Sequence, residues 1–258
     1  MRAVDKGDSP YENINRYQDA IPFQRERIGL YCSYCEMSIK HVPEVEHKVS
    51  KGLGGELTEW ENLLLSCKYC NTRKKDKVAP QDKKWYLWPD EDNTAIAYTY
   101  KNGYPMVNET ELKDLDPTGT IYQRAVNTYE AVGLGNKPAR ESGEKDRRFL
   151  NRNASYHRAL QSLTHWQHIK DAPDLFKEDM KKQILMTAAE DGFFSVWMTA
   201  FSEEPEILKA LIDYFPGTRK ECYDYDEYSC AMKSHFRKFG NQMSGSGNHL
   251  CNYASLLA

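Results

Sequence analysis

The sequence predicts an α+β chain, in which an N-terminal module pinned by metal-binding cysteines precedes a mainly α-helical C-terminal region. Three observations carry this expectation. Two Cys-x-x-Cys knuckles, Cys32/Cys35 and Cys67/Cys70, lie in the N-terminal part. Two short apolar runs, Pro43–Val49 and Leu63–Ser66, flank a glycine-rich loop between the knuckles and read as strands. From Thr118 onward, apolar residues recur at helical spacing.

In chain order, Gln18–Ile28 reads as a short helix feeding the first knuckle. Lys51-Gly52-Leu53-Gly54-Gly55 forms the loop, and Asn71–Lys77 has helix-forming composition after the second knuckle. Trp85–Asp92 ends in a proline-acidic break, which predicts a division into residues 1–92 and 93–258. Residues 93–116 read as irregular apart from one strand, Thr94–Tyr100, turning at Asn102-Gly103. Helices are then expected over Thr118–Val132, stopped by Gly133, and from about Gly143 to Lys170. The second of these offers Phe149, Tyr156, Leu160, Leu163 and Trp166 or Ile169 to a core. Pro173 opens a helix that runs to Asp191 and stops at Gly192. Ser202 is the expected cap of Glu203–Phe215, and a last helix, Asp224–Phe239, precedes a Gly/Ser-rich stretch at 243–247.

The chain has 258 residues, with 35 Lys+Arg against 38 Asp+Glu, for a net charge of −3. That balance excludes a polybasic arm, so any affinity for nucleic acid must come from a local patch. Such a patch exists in residues 68–84. There Lys68, Arg73, Lys74, Lys75, Lys77, Lys83 and Lys84 face only Asp76 and Asp82, a net of +5. No apolar run approaches the roughly 18–20 residues of a membrane span, and the opening residues do not form a secretory signal. A cytoplasmic protein is expected.

Seven cysteines, an odd number in a chain expected in a reducing compartment, argue against a disulfide scaffold. The two knuckles suit a tetrahedral Zn2+ ion held by Cys32, Cys35, Cys67 and Cys70. The 31 residues between them exceed the usual zinc-ribbon spacing of roughly 15–20. Something else is therefore housed there.

That insert contains Val45-Glu46-His47-Lys48, the glycine loop, Glu61-Asn62-Leu63, and then Cys67-Lys68-Tyr69-Cys70-Asn71-Thr72-Arg73-Lys74. In this order of markers the segment from about 29 to 78 resembles the HNH nuclease family and its ββα-metal motif. The resemblance implies a general base at His47, a carboxylate ligand to a catalytic divalent ion at Glu46, a loop-bracing Asn62, and a second ligand at Asn71. It also implies that the four cysteines hold a structural zinc. Glu46 stands where Asp is more frequent and Asn71 where His is. The resulting oxygen donor set favours Mg2+ or Mn2+. Phosphodiester hydrolysis needs a deprotonated water and a neutralised phosphate, which an imidazole beside one divalent ion can supply. Glu46 and His47 are adjacent, so on a regular strand they face opposite sides and can serve one site only where the strand ends or bends.

The basic residues Lys68, Arg73, Lys74, Lys75 and Lys77 are the candidate grip on nucleic acid, DNA first and tRNA or other RNA second. An HNH module with a helical region of this length is similar to the HNH subunits of bacterial anti-phage defence systems of the Septu type. This resemblance implies an ABC/SMC-like ATPase partner. The competing reading is a non-catalytic zinc module that binds nucleic acid or scaffolds a complex, with Glu46 and His47 in an ordinary ion pair and Asn71 a helix cap.

Overall fold

The computed structural model describes residues 1–137 and 146–223. The expected helix 224–239, the Gly/Ser stretch, Cys230 and Cys251 lie outside the described residues. A helix, α1 (Ile21–Ile28), leads to the first knuckle, and β1 (Glu44–His47) pairs antiparallel with β2 (Leu63–Ser66). In that register Glu46 lies opposite Leu64 and His47 opposite Leu63. The strand β1 ends at His47, where the chain enters the loop.

The helix α2 (Lys68–Lys74) starts three residues before the expected Asn71, because the second knuckle itself opens it. Cys67 is the N-cap, and its sulfur accepts a hydrogen bond from the Cys70 N–H. Asn71 is consequently an interior residue of the helix. The helix closes at Lys75, whose φ of 44° leaves helical geometry, so Lys77 lies beyond it.

Two further strands, β3 (Tyr98–Lys101) and β4 (Tyr104–Val107), form a hairpin with the expected turn at Asn102-Gly103. Both turn residues have positive φ (50° and 74°), the geometry that favours Asn-Gly in a two-residue hairpin. The residues 94–97 expected to begin β3 form turns instead. The stretch after it, read as irregular, supplies β4 and α3 (Glu109–Leu115). Then follow α4 (Thr120–Ala131), α5 (Arg148–His168), α6 (Asp174–Asp191), α7 (Phe194–Ala200) and α8 (Pro205–Tyr214). The cap of α8 is Glu204 rather than Ser202, because Pro205 takes the first helical position.

Hydrophobic packing crosses residue 92. One buried cluster contains the four knuckle cysteines, Leu64 and Leu65 of β2, Trp88, Tyr98 and Tyr100, Ile121 and Ala125 of α4, and Phe193 and Val196. A second is built from α5 to α8 around Trp166, Trp197, Phe201 and Leu211. A third, small one sets Trp60 and Leu63 against Ala20 and Val45. The hairpin β1–β2 is thus packed on both faces. None of the described helices is long and apolar enough to cross a membrane.

Candidate active site and metal centre

The four knuckle sulfurs are buried and lie within 4.8 Å of one another, with Cys35 and Cys67 Sγ 3.6 Å apart. Ligands at a Zn–S distance of 2.3 Å on a tetrahedron are about 3.8 Å apart, so this group fits one zinc ion. Burial pushes the Cys70 thiol up, which opposes thiolate formation unless a cation shares the space. One positive group already stands there. Arg148, the first residue of α5, donates from Nη1 to Cys70 Sγ at 3.0 Å and to the Val132 carbonyl at 2.9 Å. Burial opposes its charge, but the Cys70 sulfur and the Asp146 carboxylate, 2.7 Å away, outweigh burial and raise its pKa.

The imidazole of His47 is buried and turns toward the loop. Its Nε2 lies 3.0 Å from the Leu57 carbonyl oxygen, and its ring meets Tyr17 edge-on at 4.8 Å. A carbonyl can only accept, so Nε2 carries the hydrogen and the neutral ring keeps Nδ1 as its basic nitrogen. Burial lowers the His47 pKa. The Leu57 carbonyl pulls against this, and the charges of Lys51 and Lys74 push the same way as burial.

Asn62 holds the loop that presents Leu57. Its Oδ1 accepts from the Val49 N–H at 2.8 Å, and its Nδ2 donates to the carbonyls of Val49 (3.2 Å) and Glu56 (2.8 Å). The loop closes where Gly55 passes the Val49 carbonyl so tightly that a Cβ would lie 2.1 Å from its oxygen. Only glycine fits there.

The carboxylate of Glu46 turns toward α2 and the first knuckle. Tyr34 donates to its Oε2 at 2.5 Å, and the Lys74 ammonium lies 2.5 Å from Oε1. Burial pushes its pKa up, opposed by the adjacent Lys74 and by the hydrogen bonds from Lys74 and Tyr34. Asn71 reaches a different acid: its Nδ2 donates to Glu44 Oε2 at 2.8 Å. Glu44 and Glu46 share one face of β1, and Asn71 and Lys74 share the facing side of α2. Four polar groups therefore meet across the strand–helix contact, paired as Glu44 with Asn71 and Glu46 with Lys74. The expected ligands Glu46 and Asn71 each take another partner here, and Glu46 and His47 take separate ones.

Among the basic residues, Lys74 departs from expectation. It is 1% exposed, and besides Glu46 it donates to the His47 carbonyl at 2.7 Å. It fastens α2 to β1 and offers no charge to a polyanion. Lys68, Arg73, Lys75 and Lys77 are exposed. Lys68 approaches Glu44 at 3.6 Å, Lys77 donates to the Ala131 carbonyl, and Arg73 lies 3.1 Å from the Asn136 carboxamide.

Sequence reasoning missed several contributors. Tyr34 and Glu44 were within its reach, the latter as the residue two before Glu46 on the same strand face. Leu57 contributes a backbone oxygen and leaves no side-chain signal. Lys6 and Lys48 are both buried and both contact Asp90, at 2.7 and 2.8 Å, while Lys6 also donates to the carbonyls of Trp60 and Leu63. The acidic break after Trp88 is thus a buried ionic joint to the hairpin.

Residues 32–77 match the family model described as HNH endonuclease, a minor part of the 258-residue chain. No curated protein and no solved structure matches the chain.

Proposed function

From an HNH endonuclease module at residues 32–77, we propose that this protein is a divalent-metal-dependent nuclease that hydrolyses phosphodiester bonds in DNA or RNA. The observation that carries the reading is the hydrogen bond from His47 Nε2 to the Leu57 carbonyl. It fixes the tautomer in which Nδ1 can take a proton from the attacking water. Asn62 keeps that carbonyl in place through its hold on Val49 and Glu56.

Glu46 and Asn71 are the proposed ligands of the catalytic ion, with Glu44 beside Asn71 as a further carboxylate. Their hard oxygen donors suit Mg2+ or Mn2+. A divalent ion bound there supplies charge neutralisation of a phosphate oxygen and of the leaving alkoxide. Loading it requires Lys74 to withdraw from Glu46, so the lysine is the monovalent cation that the metal replaces. The cysteine group holds zinc and sets the start of α2, and with it the position of Asn71.

A second reading rests on a specific observation. Glu46 is 2% exposed, and both its oxygens are occupied by Tyr34 and Lys74. A module in which that pair is permanent is a zinc-stabilised nucleic-acid binder without chemistry. Incubation of the purified chain with DNA and with tRNA, with and without Mg2+ or Mn2+, separates the two. Divalent-dependent cleavage supports the nuclease, and salt-sensitive binding without cleavage supports the binder.

We further propose that the chain acts as the nuclease subunit of an anti-phage complex, resembling PtuB of Septu beside a PtuA-like ABC/SMC-type ATPase. The support is the helical region after the module and the overall charge of −3, which leaves only the patch near the module to attract a polyanion. The isolated chain should therefore cut slowly and be stimulated by the ATPase. Efficient cutting by the lone chain at physiological salt contradicts this part.

A further inference from the structure

The β3–β4 hairpin and the start of α5 line an open depression of about 330 Å³ that neither the cysteine group nor the His47 site uses. Its walls include Lys101, Asn102, Tyr104, Lys137, Phe149 and Asn153. This volume falls at the small end of ligand pockets, roughly 300–1,000 Å³, and suits one nucleotide. Two aromatic rings stand in it, Tyr104 and Phe149, with centroids 6.3 Å apart at 65°. The Lys137 ammonium lies over the Tyr104 ring at 4.6 Å, and the Tyr104 hydroxyl is tied to the Gly135 carbonyl at 2.9 Å. Among the described residues, no acid belongs to the lining.

The depression is joined to the module. The exposed Arg73, at the end of α2, contacts Asn136, the residue before Lys137. Lys77 reaches the Ala131 carbonyl of the same segment. Asp146, three residues before Phe149, is paired with Arg148 at 2.7 Å. Arg73 and Lys77 thus contact the segment 131–136, and Lys137 at its end carries positive charge into a pocket with aromatic rings and amide side chains. Aromatic faces stack on any unpaired base, lysines donate to phosphate oxygens, and amides meet base edges.

We infer that this depression is a nucleotide subsite, which takes one unstacked base of a single-stranded segment with its phosphate between Lys101 and Lys137. The inference rests on the nucleic-acid reading of the module and names its substrate form: a strand that is unpaired, or can be unpaired, beside the cut. A lysine-flanked aromatic pocket has no use for a base that stays stacked inside a duplex.

The test uses the full chain without added Mg2+ or Mn2+, so that binding is read apart from cleavage. The probes are single-stranded DNA and RNA oligonucleotides of one sequence carrying 2-aminopurine, and the same DNA as a duplex. Anisotropy reports affinity, and 2-aminopurine emission reports stacking. Binding of a single strand with quenched emission is expected. Phe149→Leu should weaken it at least ~5-fold and restore emission. Lys101→Glu with Lys137→Glu should weaken it further and flatten its salt dependence. The two lysines are exposed, so this pair reports even if Phe149→Leu fails to fold.

Unchanged affinity in the folded variants, unchanged emission at saturation, no binding at all, or equal preference for the duplex would each overturn the subsite. A positive result together with absent divalent-dependent cleavage leaves the subsite standing and removes the nuclease. Cleavage that ignores these substitutions does the reverse.

Discussion

His47 draws its proposed role from a backbone oxygen rather than from another side chain. The Leu57 carbonyl takes the Nε2 hydrogen, and burial keeps the ring neutral near physiological pH. Glu46 is the costlier residue, because a fully buried carboxylate needs a cation. Lys74 supplies one. Breaking a buried pair by removing one partner costs about 3–5 kcal/mol. Lys74→Met should therefore lower the melting temperature in metal-free buffer, and Mg2+ or Mn2+ should restore much of the loss. A Lys74→Met protein that melts like the wild type, or that ignores divalent ions, argues against exchange at Glu46. On a regular strand Glu46 and His47 face opposite sides, and a bend at the strand's end was expected to bring both to one site; the two side chains instead take separate partners. The sequence could not foretell that the lysine of a presumed phosphate-gripping cluster would turn inward, since a Lys-rich helix is read as solvated until its packing is known.

At the level of elements, the four-cysteine group, which suits a zinc ion, brackets the β1–β2 hairpin. Cys67 has two roles at once: it belongs to the four-sulfur group and its sulfur caps α2. Cys32→Ser should release zinc and loosen β2 and α2 together, read as zinc loss with a fall in helical signal. A folded, zinc-replete Cys32→Ser protein would exclude Cys32 as a ligand. The strand β2 was legible in full because Leu63-Leu64-Leu65-Ser66 is an uninterrupted apolar run buried on both faces. The start of α2 was not, because a sulfur cap is not among the Ser, Thr, Asp and Asn signals that mark helix starts. The strand β4 and the helix α3 were read as irregular. Pro105 inside Tyr104–Val107 argues against a strand, and only the two-stranded hairpin lets it sit on an edge. The helix α7 was missed because it has only seven residues, too short to show a helical period.

Across the whole molecule, α5 reaches back to the module through Arg148, and the segment after Trp88 does so through Asp90. Burial disfavours the Asp90 charge, but Lys48 and Lys6 outweigh it and hold its pKa below the ordinary carboxylate value. The stabilisation from this joint is therefore present above the ordinary carboxylate pKa of about 3.9, and is lost as pH falls through the lower folded value. Asp90→Asn should leave two buried lysines without their shared partner and cost about 3–5 kcal/mol at neutral pH. Thermal melts across pH read this directly, and an Asp90→Asn protein as stable as the wild type at pH 7 would contradict the joint. Nothing in the sequence marks Lys6 for burial. Its contacts with Trp60, Leu63 and Asp90 are long-range, and no local pattern encodes them.

The most direct test of the account is the Mg2+- or Mn2+-dependent cleavage rate of His47→Ala, with zinc content measured on the same protein and imidazole added back. The rate should fall by about 10²–10⁴-fold, the usual contribution of a general base. Zinc and melting temperature should be retained, and imidazole should recover part of the rate. Undiminished cleavage by a clean His47→Ala preparation would show that this imidazole is not the base.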